Sequence, residues 1–184
     1  INNIENTVFN GNMTITKTGG NSDDLQGGNT FNGPTIINNN DNDRLRLANT
    51  NGDTFNSTVT FNKNSSGQFQ IAFNGSNTFS ATVTVNNTNA SSNLSFGAGV
   101  GTSLLTSGGL TTTNFNVGTL IINNFAQVTA SANGIFNPAT FTVSNVVFLG
   151  NFQVTTTGAI TFNNTNFFNG TNVFSAAGQI AMPN

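Results

Sequence analysis

The 184-residue chain has no cysteine, no histidine, no tryptophan and no tyrosine, and only three prolines. Without cysteine there are no disulfides and no thiolate metal sites, although this leaves the compartment open. Without histidine or cysteine, the roles of acid, base and nucleophile fall to carboxylates, to Lys17 or Lys63, and to hydroxyls that lack a base, so no catalysis is expected. Charge is equally scarce. Four Lys or Arg against six Asp or Glu give a net charge of −2, too few cations to neutralise a phosphate backbone, and nucleic-acid binding is not expected. No apolar run approaches the roughly 20 residues of a membrane-spanning helix, and no leader precedes a cleavage site. The chain opens on Ile1 rather than Met and reads as a mature or excised segment. All ten charged residues lie between Glu5 and Lys63, and the stretch from Asn64 to Asn184 carries none.

What remains is 18 Phe among Asn, Thr, Ser and Gly. Disordered chains are poor in aromatics and rich in charge, and this one has the opposite bias, so a folded domain with a Phe-rich core is expected. It is written as a repeat. "GDTFNSTVTF" (52–61) returns 24 positions later as "SNTFSATVTV" (76–85). The anchor residues Phe9, Phe31, Phe55 and Phe79 are spaced by 22, 24 and 24, and each precedes a short alternating run, the last two being "TVTF" (58–61) and "TVTV" (82–85). A second segment repeats in step, "RLRLA" (44–48) with "QFQIA" (68–72), so each unit holds at least two strands. Alternation sends Phe55, Val59 and Phe61 to one face and Thr58 and Thr60 to the other. It likewise buries Leu45 and Leu47 and turns Arg44 and Arg46 outward. β-Branched residues with abundant Gly and Asn disfavour helix.

The dipeptide Phe-Asn occurs nine times and marks corners, four times as Phe-Asn-Gly. Asn-Gly is also a hairpin signal, which keeps an antiparallel β-sandwich as the alternative. A constant interval of 20 to 25 residues is what one circuit of a solenoid needs, so the expected fold is an all-β, right-handed parallel β-helix of about seven to eight coils. At about 4.8 Å per coil its length would be roughly 35 Å. The expected organisation is a single domain over 1–184, with regular coils over 1–88, a Gly-rich excursion over 97–112 and further coils over 113–184. Phe115 ("GTLIIN") and Phe136 ("ATFTV") read as resuming the phrase, extending the core stack of Phe9, Phe31, Phe55 and Phe79.

The phrase "LANTNGDTFNSTVTF" (47–61), and the repeat over about residues 28–85, resembles repeats of large secreted bacterial β-strand-repeat proteins, a group of adhesins and fibrous surface components. That resemblance implies an extracellular or cell-surface location and a structural or adhesive role.

Candidate functional residues are few. Outward Thr-x-Thr pairs, Thr14 with Thr16, Thr58 with Thr60, Thr82 with Thr84 and Thr140 with Thr142, would be stacked by the coils into two columns. A regular hydroxyl and methyl array of that kind resembles ice-binding solenoids, against the plainer reading that Thr suits an exposed strand. The second and fifth units break the columns with Ile37 and Ile121. Asp41 and Asp43 in "NNNDNDR" could offer oxygens to calcium, but a solvated turn is the expected reading, as it is for Asp23 and Asp24. Sequons at Asn12, Asn56, Asn64 and Asn169 are expected mostly to be bare. Loops such as 97–112 leave room for a carbohydrate-binding cleft. The combined expectation is a non-catalytic structural or adhesive module without metal or cofactor. It would associate end to end with itself into a fibre, with ice or surface glycans as the other partners.

Overall fold

A computed structural model describes residues 4–182 and contains no helix among them: parallel strands stack into a β-solenoid of about 8 turns. In the first half each coil has three faces. The first carries Val8–Phe9, Thr30–Phe31, Thr54–Phe55, Asn77–Phe79 and Ser103–Leu105. The second carries Met13–Lys17, Thr35–Asn39, Val59–Lys63, Val83–Asn87 and Leu110–Thr111. The third begins with Asp23–Asp24, Leu45–Arg46, Gln68–Ile71 and Asn93–Phe96. Every pairing is parallel and in register with the repeat, as in Thr54↔Thr78 and Val59↔Val83. Parallel strands cannot be joined by a tight hairpin, and a circuit of about 24 residues supplies the crossover they need.

Alternation holds throughout these coils. Val59, Phe61, Phe69, Ile71, Phe79, Val83 and Val85 are each 1% exposed or less. The anchor phenylalanines form one column, with ring centroids 5.1 Å apart for Phe9–Phe31, 4.8 Å for Phe31–Phe55 and 5.2 Å for Phe55–Phe79. Each Phe-Asn corner adds an amide outside the ring: Asn32 Nδ2 donates to Asn10 Oδ1 and Asn56 Nδ2 to Asn32 Oδ1, both at 2.8 Å.

Below Phe79 the architecture changes. The 9-residue strand Thr119–Gln127 continues the third face with its first residues (Asn93↔Thr119) and the first face with its last (Leu105↔Gln127). Two faces thereby merge into one sheet of 13 strands, extended by Thr140–Phe148, Ile160–Phe168 and Ile180–Ala181. The corner is turned by a residue in the left-handed region, Asn124, Asn145 or Asn164 (φ 51° to 53°), where the earlier coils use Ala48, Ala72 and Gly97. A new three-stranded sheet, Ile135–Phe136, Phe152–Thr156 and Asn172–Ala176, completes the later coils. Residues 97–112 stay within the stack: Gly99 and Gly101 both donate backbone N–H to Phe73 O, and Ser103–Leu105 pairs on both sides.

This change corrects the placement of two anchors. Leu105, not Phe115, follows Phe79 in its column. Phe115 bridges to Asn87, at the end of the second face, and Phe136 lies against Phe115 at 6.3 Å. The later coils run closer to 20 residues per turn, as Val146↔Asn166 and Thr161↔Ala181 show. Phe115 falls about one and a half circuits after Phe79, so the phrase after it lands on the third face (Asn93↔Thr119), and the phrase after Phe136 follows it there (Thr119↔Thr140), although both read like the second. Phe125, Phe148 and Phe168 form the later stack instead, at 5.3 and 5.7 Å.

Phe55 is 1% exposed and lies between two stacked rings. Phe55→Ala is expected to lower the unfolding free energy by about 3 to 5 kcal/mol in denaturant titration. A shift below 1 kcal/mol, as an order of magnitude for a surface site, would show that the column is not the core.

Candidate functional site

Parity on a strand decides which side chains reach the surface, and register then decides which of them meet. All eight predicted threonines lie off the core, but they do not form two continuous columns. On the second face Thr14 is followed by Ile36, Thr60, Thr84 and Thr111, while Thr16 is followed by Asn38, Asn62 and Asn86. The pair Thr14 and Thr16 is thus two residues out of step with Thr58 and Thr60. Only Thr58, Thr60, Thr82 and Thr84 stand two abreast. Thr140 and Thr142 belong to the third face, below Thr119 and Ile121, where Thr140 and Thr119 share a hydroxyl hydrogen bond of 2.9 Å.

Amides, not hydroxyls, make the continuous outward ladder of the second face. Asn62 Nδ2 donates to Asn38 Oδ1 (2.8 Å), Asn86 Nδ2 to Asn62 Oδ1 (3.0 Å), and Asn38 Nδ2 to Thr16 Oγ1 (3.0 Å). A carboxamide carries both donor and acceptor, so each copy satisfies the next without change of residue type. A third ladder, Asn64 onto Asn40 with Thr88 onto Asn64, runs beside the next corner.

A fourth ladder is buried. Thr7 N donates to Asn29 Oδ1, Asn29 N and Nδ2 to Asp53 Oδ1 (3.0 and 2.9 Å), and Asp53 N to Asn77 Oδ1 (2.8 Å). The carboxylate in this amide series is 3% exposed. Burial raises its pKa to about 6, against the opposing effect of the hydrogen bonds from Asn29.

Lys17, Lys63, Asp23, Asp24, Asp41, Arg44 and Arg46 are also placed with partners. Parity that puts Ile15 and Phe61 inside also puts Lys17 and Lys63 inside, 1% and 0% exposed. They share one column, Lys17, Asn39, Lys63 and Asn87, whose side chains close the following corner. Lys17 Nζ reaches Asp41 Oδ2 at 2.7 Å and Asp23 Oδ2 at 3.2 Å. Burial pulls the Lys17 pKa down, but the hydrogen bonds and charges of Asp41 and Asp23 outweigh it and raise the pKa overall. The Lys17 hydrogen bond holds Asp41 below the usual carboxylate range. Lys63 Nζ donates to Ser65 Oγ (2.6 Å), Asp41 O (3.1 Å) and Asn39 O (3.4 Å). Burial pushes its pKa down to about 8, opposed by Asp41 and assisted by Lys17. Asp24 takes two oxygen contacts from Arg44 Nη2 (3.0 and 3.2 Å), and Arg46 lies over the Phe73 ring at 3.8 Å.

These contacts correct the solvated-turn reading of Asp23, Asp24 and Asp41: each is an ion-pair partner of a lysine or arginine in its own or a neighbouring coil. Among the described residues no group of three or more His, Cys, Asp or Glu could hold a metal ion. No described helix is long and apolar enough to cross a membrane.

Two further surface features were not foreseen. Leu104, Ala126, Val147 and Phe167 lie in one outward column, and Phe167 is 53% exposed. The last coil ends in a depression of about 370 Å³ bordered by Phe162, Phe168, Phe174 and Met182. Parity within the strand reports the first, since 104, 126, 147 and 167 are out of phase with the buried positions. The second is a property of the end of the stack, which periodicity does not mark. Comparison with protein-family models, curated proteins and solved structures finds no match for the chain.

The buried carboxylate makes stability depend on pH with a defined sign. A carboxyl whose folded pKa is near 6 and whose unfolded pKa is near 3.8 binds its proton more tightly when folded, so stability is lost as pH rises between those values. The cost at neutral pH is roughly 3 kcal/mol. Asp53→Asn is expected to recover that amount at pH 7.5, to change little at pH 3.5 and to flatten the profile between, measured by denaturant midpoints. Lys63 acts in a different window: its depressed pKa predicts stability that rises between about pH 8 and 10.5. An unchanged midpoint for Asp53→Asn at pH 7.5 would contradict the assigned burial.

Proposed function

We propose that the chain is a non-catalytic structural module of an extracellular or cell-surface protein, a stiff rod segment of the fibrous or adhesive kind. The observation that carries the reading is the identity of inside and outside from coil to coil. The core is a continuous stack of Phe, Leu, Ile and Val, and the exterior is laced by uncharged amide ladders that tie one coil to the next. Such a body resists bending because each coil is held by its neighbours along its whole perimeter, and stability grows with each added neighbour. The titratable groups do not support catalysis. Lys17 and Lys63 are buried and bonded to structural oxygens, and Asp53 faces an amide ladder. The resemblance to secreted bacterial repeat proteins supports the extracellular part of the reading.

Ice binding has less support, because the two-abreast threonines extend over a single coil interval. Nanolitre osmometry is expected to show no thermal hysteresis and no shaping of ice crystals, and either effect would revive that reading. The direct test of the proposed function is immunogold labelling of the native source with antibody raised to the chain. Gold on the outer surface or on material extending from it is the expected result. Label confined to the interior would overturn it.

A further inference from the structure

We infer that the flank of the rod where the first and third faces merge is a shallow binding site for a neutral glycan chain. The inference rests on the structural reading above and names a ligand for its adhesive part.

The site is made by the change of architecture below Phe79. There Thr119–Gln127 and Thr140–Phe148 follow Ser103–Leu105 and carry both faces past a corner at Asn124 and Asn145, each in the left-handed region. Beside that corner lies a depression of about 410 Å³. Its floor is aliphatic: Leu104, Ala126 and Val147 stand one above another, and Leu104 and Val147 are each 37% exposed. Its rim is Thr102, Asn124 and Asn145. All three strands are paired on both sides, so the depression belongs to the side of the stack.

The rim amides are only partly engaged. Asn145 Nδ2 donates to Asn124 Oδ1 at 3.2 Å and Asn124 Nδ2 to Gly101 O at 3.5 Å, which uses one proton of each amide. The second proton of each, and Asn145 Oδ1, have no partner among the described residues. Donors and an acceptor thus stand together at the edge of an apolar floor. On the second face, by contrast, Asn62 and Asn86 run beside Thr60 and Thr84.

Charge, size and chemistry choose the occupant. No residue from Asn64 onward is charged, so an ionic ligand would give up hydration here without meeting a counter-charge. Even with Phe167 added, the strip spans four coils, about 15 Å, and about two residues across, on the order of 100 to 200 Å². A specific protein partner needs about 800 Å² on each side, so neither a second copy nor another folded protein is held by this strip. A pyranose ring has the matching chemistry. It offers a C–H face to an aliphatic floor, and its edge carries hydroxyls that both donate and accept, as the rim amides do. A few polar groups beside an apolar surface are how ligand sites fix orientation. Floor and rim also recur from coil to coil, so successive rings of a chain lying along the axis meet the same pair of surfaces.

The test is a microarray printed with neutral glycans (mannan, galactan, dextran, β-glucan and chitin fragments) beside acidic ones (alginate and heparin), where dense printing lets weak single contacts add. The unmodified chain is expected to bind at least one neutral glycan and neither acidic one, with a signal that salt does not lower. Val147→Asp is expected to reduce that signal by about tenfold or more, because an unpaired carboxylate must be covered by the sugar. Asn145→Gly, which keeps the left-handed corner and removes the amide, is expected to reduce it by about three- to tenfold. Ile36→Asp, on the second face, is expected to leave it unchanged. All three side chains are exposed, so unchanged unfolding midpoints are expected of each variant. A chain that binds no neutral glycan overturns the inference, as does binding that persists in both Val147→Asp and Asn145→Gly or falls equally in Ile36→Asp. Preference for alginate or heparin overturns it too. So does self-association in sedimentation that Val147→Asp abolishes, which would assign the strip to a second copy. Gold on the surface without glycan binding would leave the structural role standing without the site, and interior label with glycan binding the reverse.

Discussion

Everything in this molecule depends on parallel strands hydrogen-bonding coil upon coil, which sets every side chain directly over its counterpart one circuit away. Neighbouring strands are about 4.8 Å apart, so whatever residue a column contains must tolerate its own kind at that distance. Phenylalanine does so inside by stacking, and asparagine does so outside by donating to one neighbour and accepting from the other. A charge does not, because like charges opposite one another on a sheet repel. The scarcity of charge is therefore a consequence of the architecture. The exceptions follow the same logic: Asp24 lies beside Arg46 in the next coil and Gln70 in the one after, so sign changes and then charge disappears down the column.

The first four coils were legible because their circuits are nearly equal in length. A constant interval of 24 converts sequence alignment into spatial register, and the predicted Phe55–Phe79 contact follows from it. The second half was misread for a physical reason, not for want of signal. "ATVTV" at 81–85 and "ATFTV" at 139–143 are almost the same string, and both form strands with the same parity. Which face a string joins depends on its place in the circuit, and because Phe115 falls about one and a half circuits after Phe79, the later phrases stand one face further on. The corners at Ala48 and Ala72 were equally opaque, since a positive φ at alanine carries no compositional mark of the kind that glycine or asparagine gives.

The surface was less legible than the core. All eight candidate threonines lie off the core, but an array requires register as well, and two of the four pairs are out of step. Buried lysine was the opposite case. The alternation that places Val59 and Phe61 inside also specifies Lys63 inside, yet a lysine next to a corner reads naturally as solvent-exposed. Its length lets the ammonium pass the apolar ring and reach carbonyl and hydroxyl oxygens of the following turn, a place filled by Asn39 and Asn87 in adjacent coils. The column thus alternates a long cation with a short amide, which separates the two ammonium groups by a coil.

The composition of the exterior decides how the rod responds to its medium. A surface whose contacts are neutral amide and hydroxyl bonds is insensitive to salt, because screening acts only on charge. Its dependence on pH is confined to a few groups buried or paired in the N-terminal half, where Asp53 and Lys63 stand out. The coils from Asn64 onward carry no charged side chain, and they are held by stacking, backbone bonds and neutral side-chain bonds such as Asn145 Nδ2 to Asn124 Oδ1 and Asn164 Nδ2 to Ser144 Oγ.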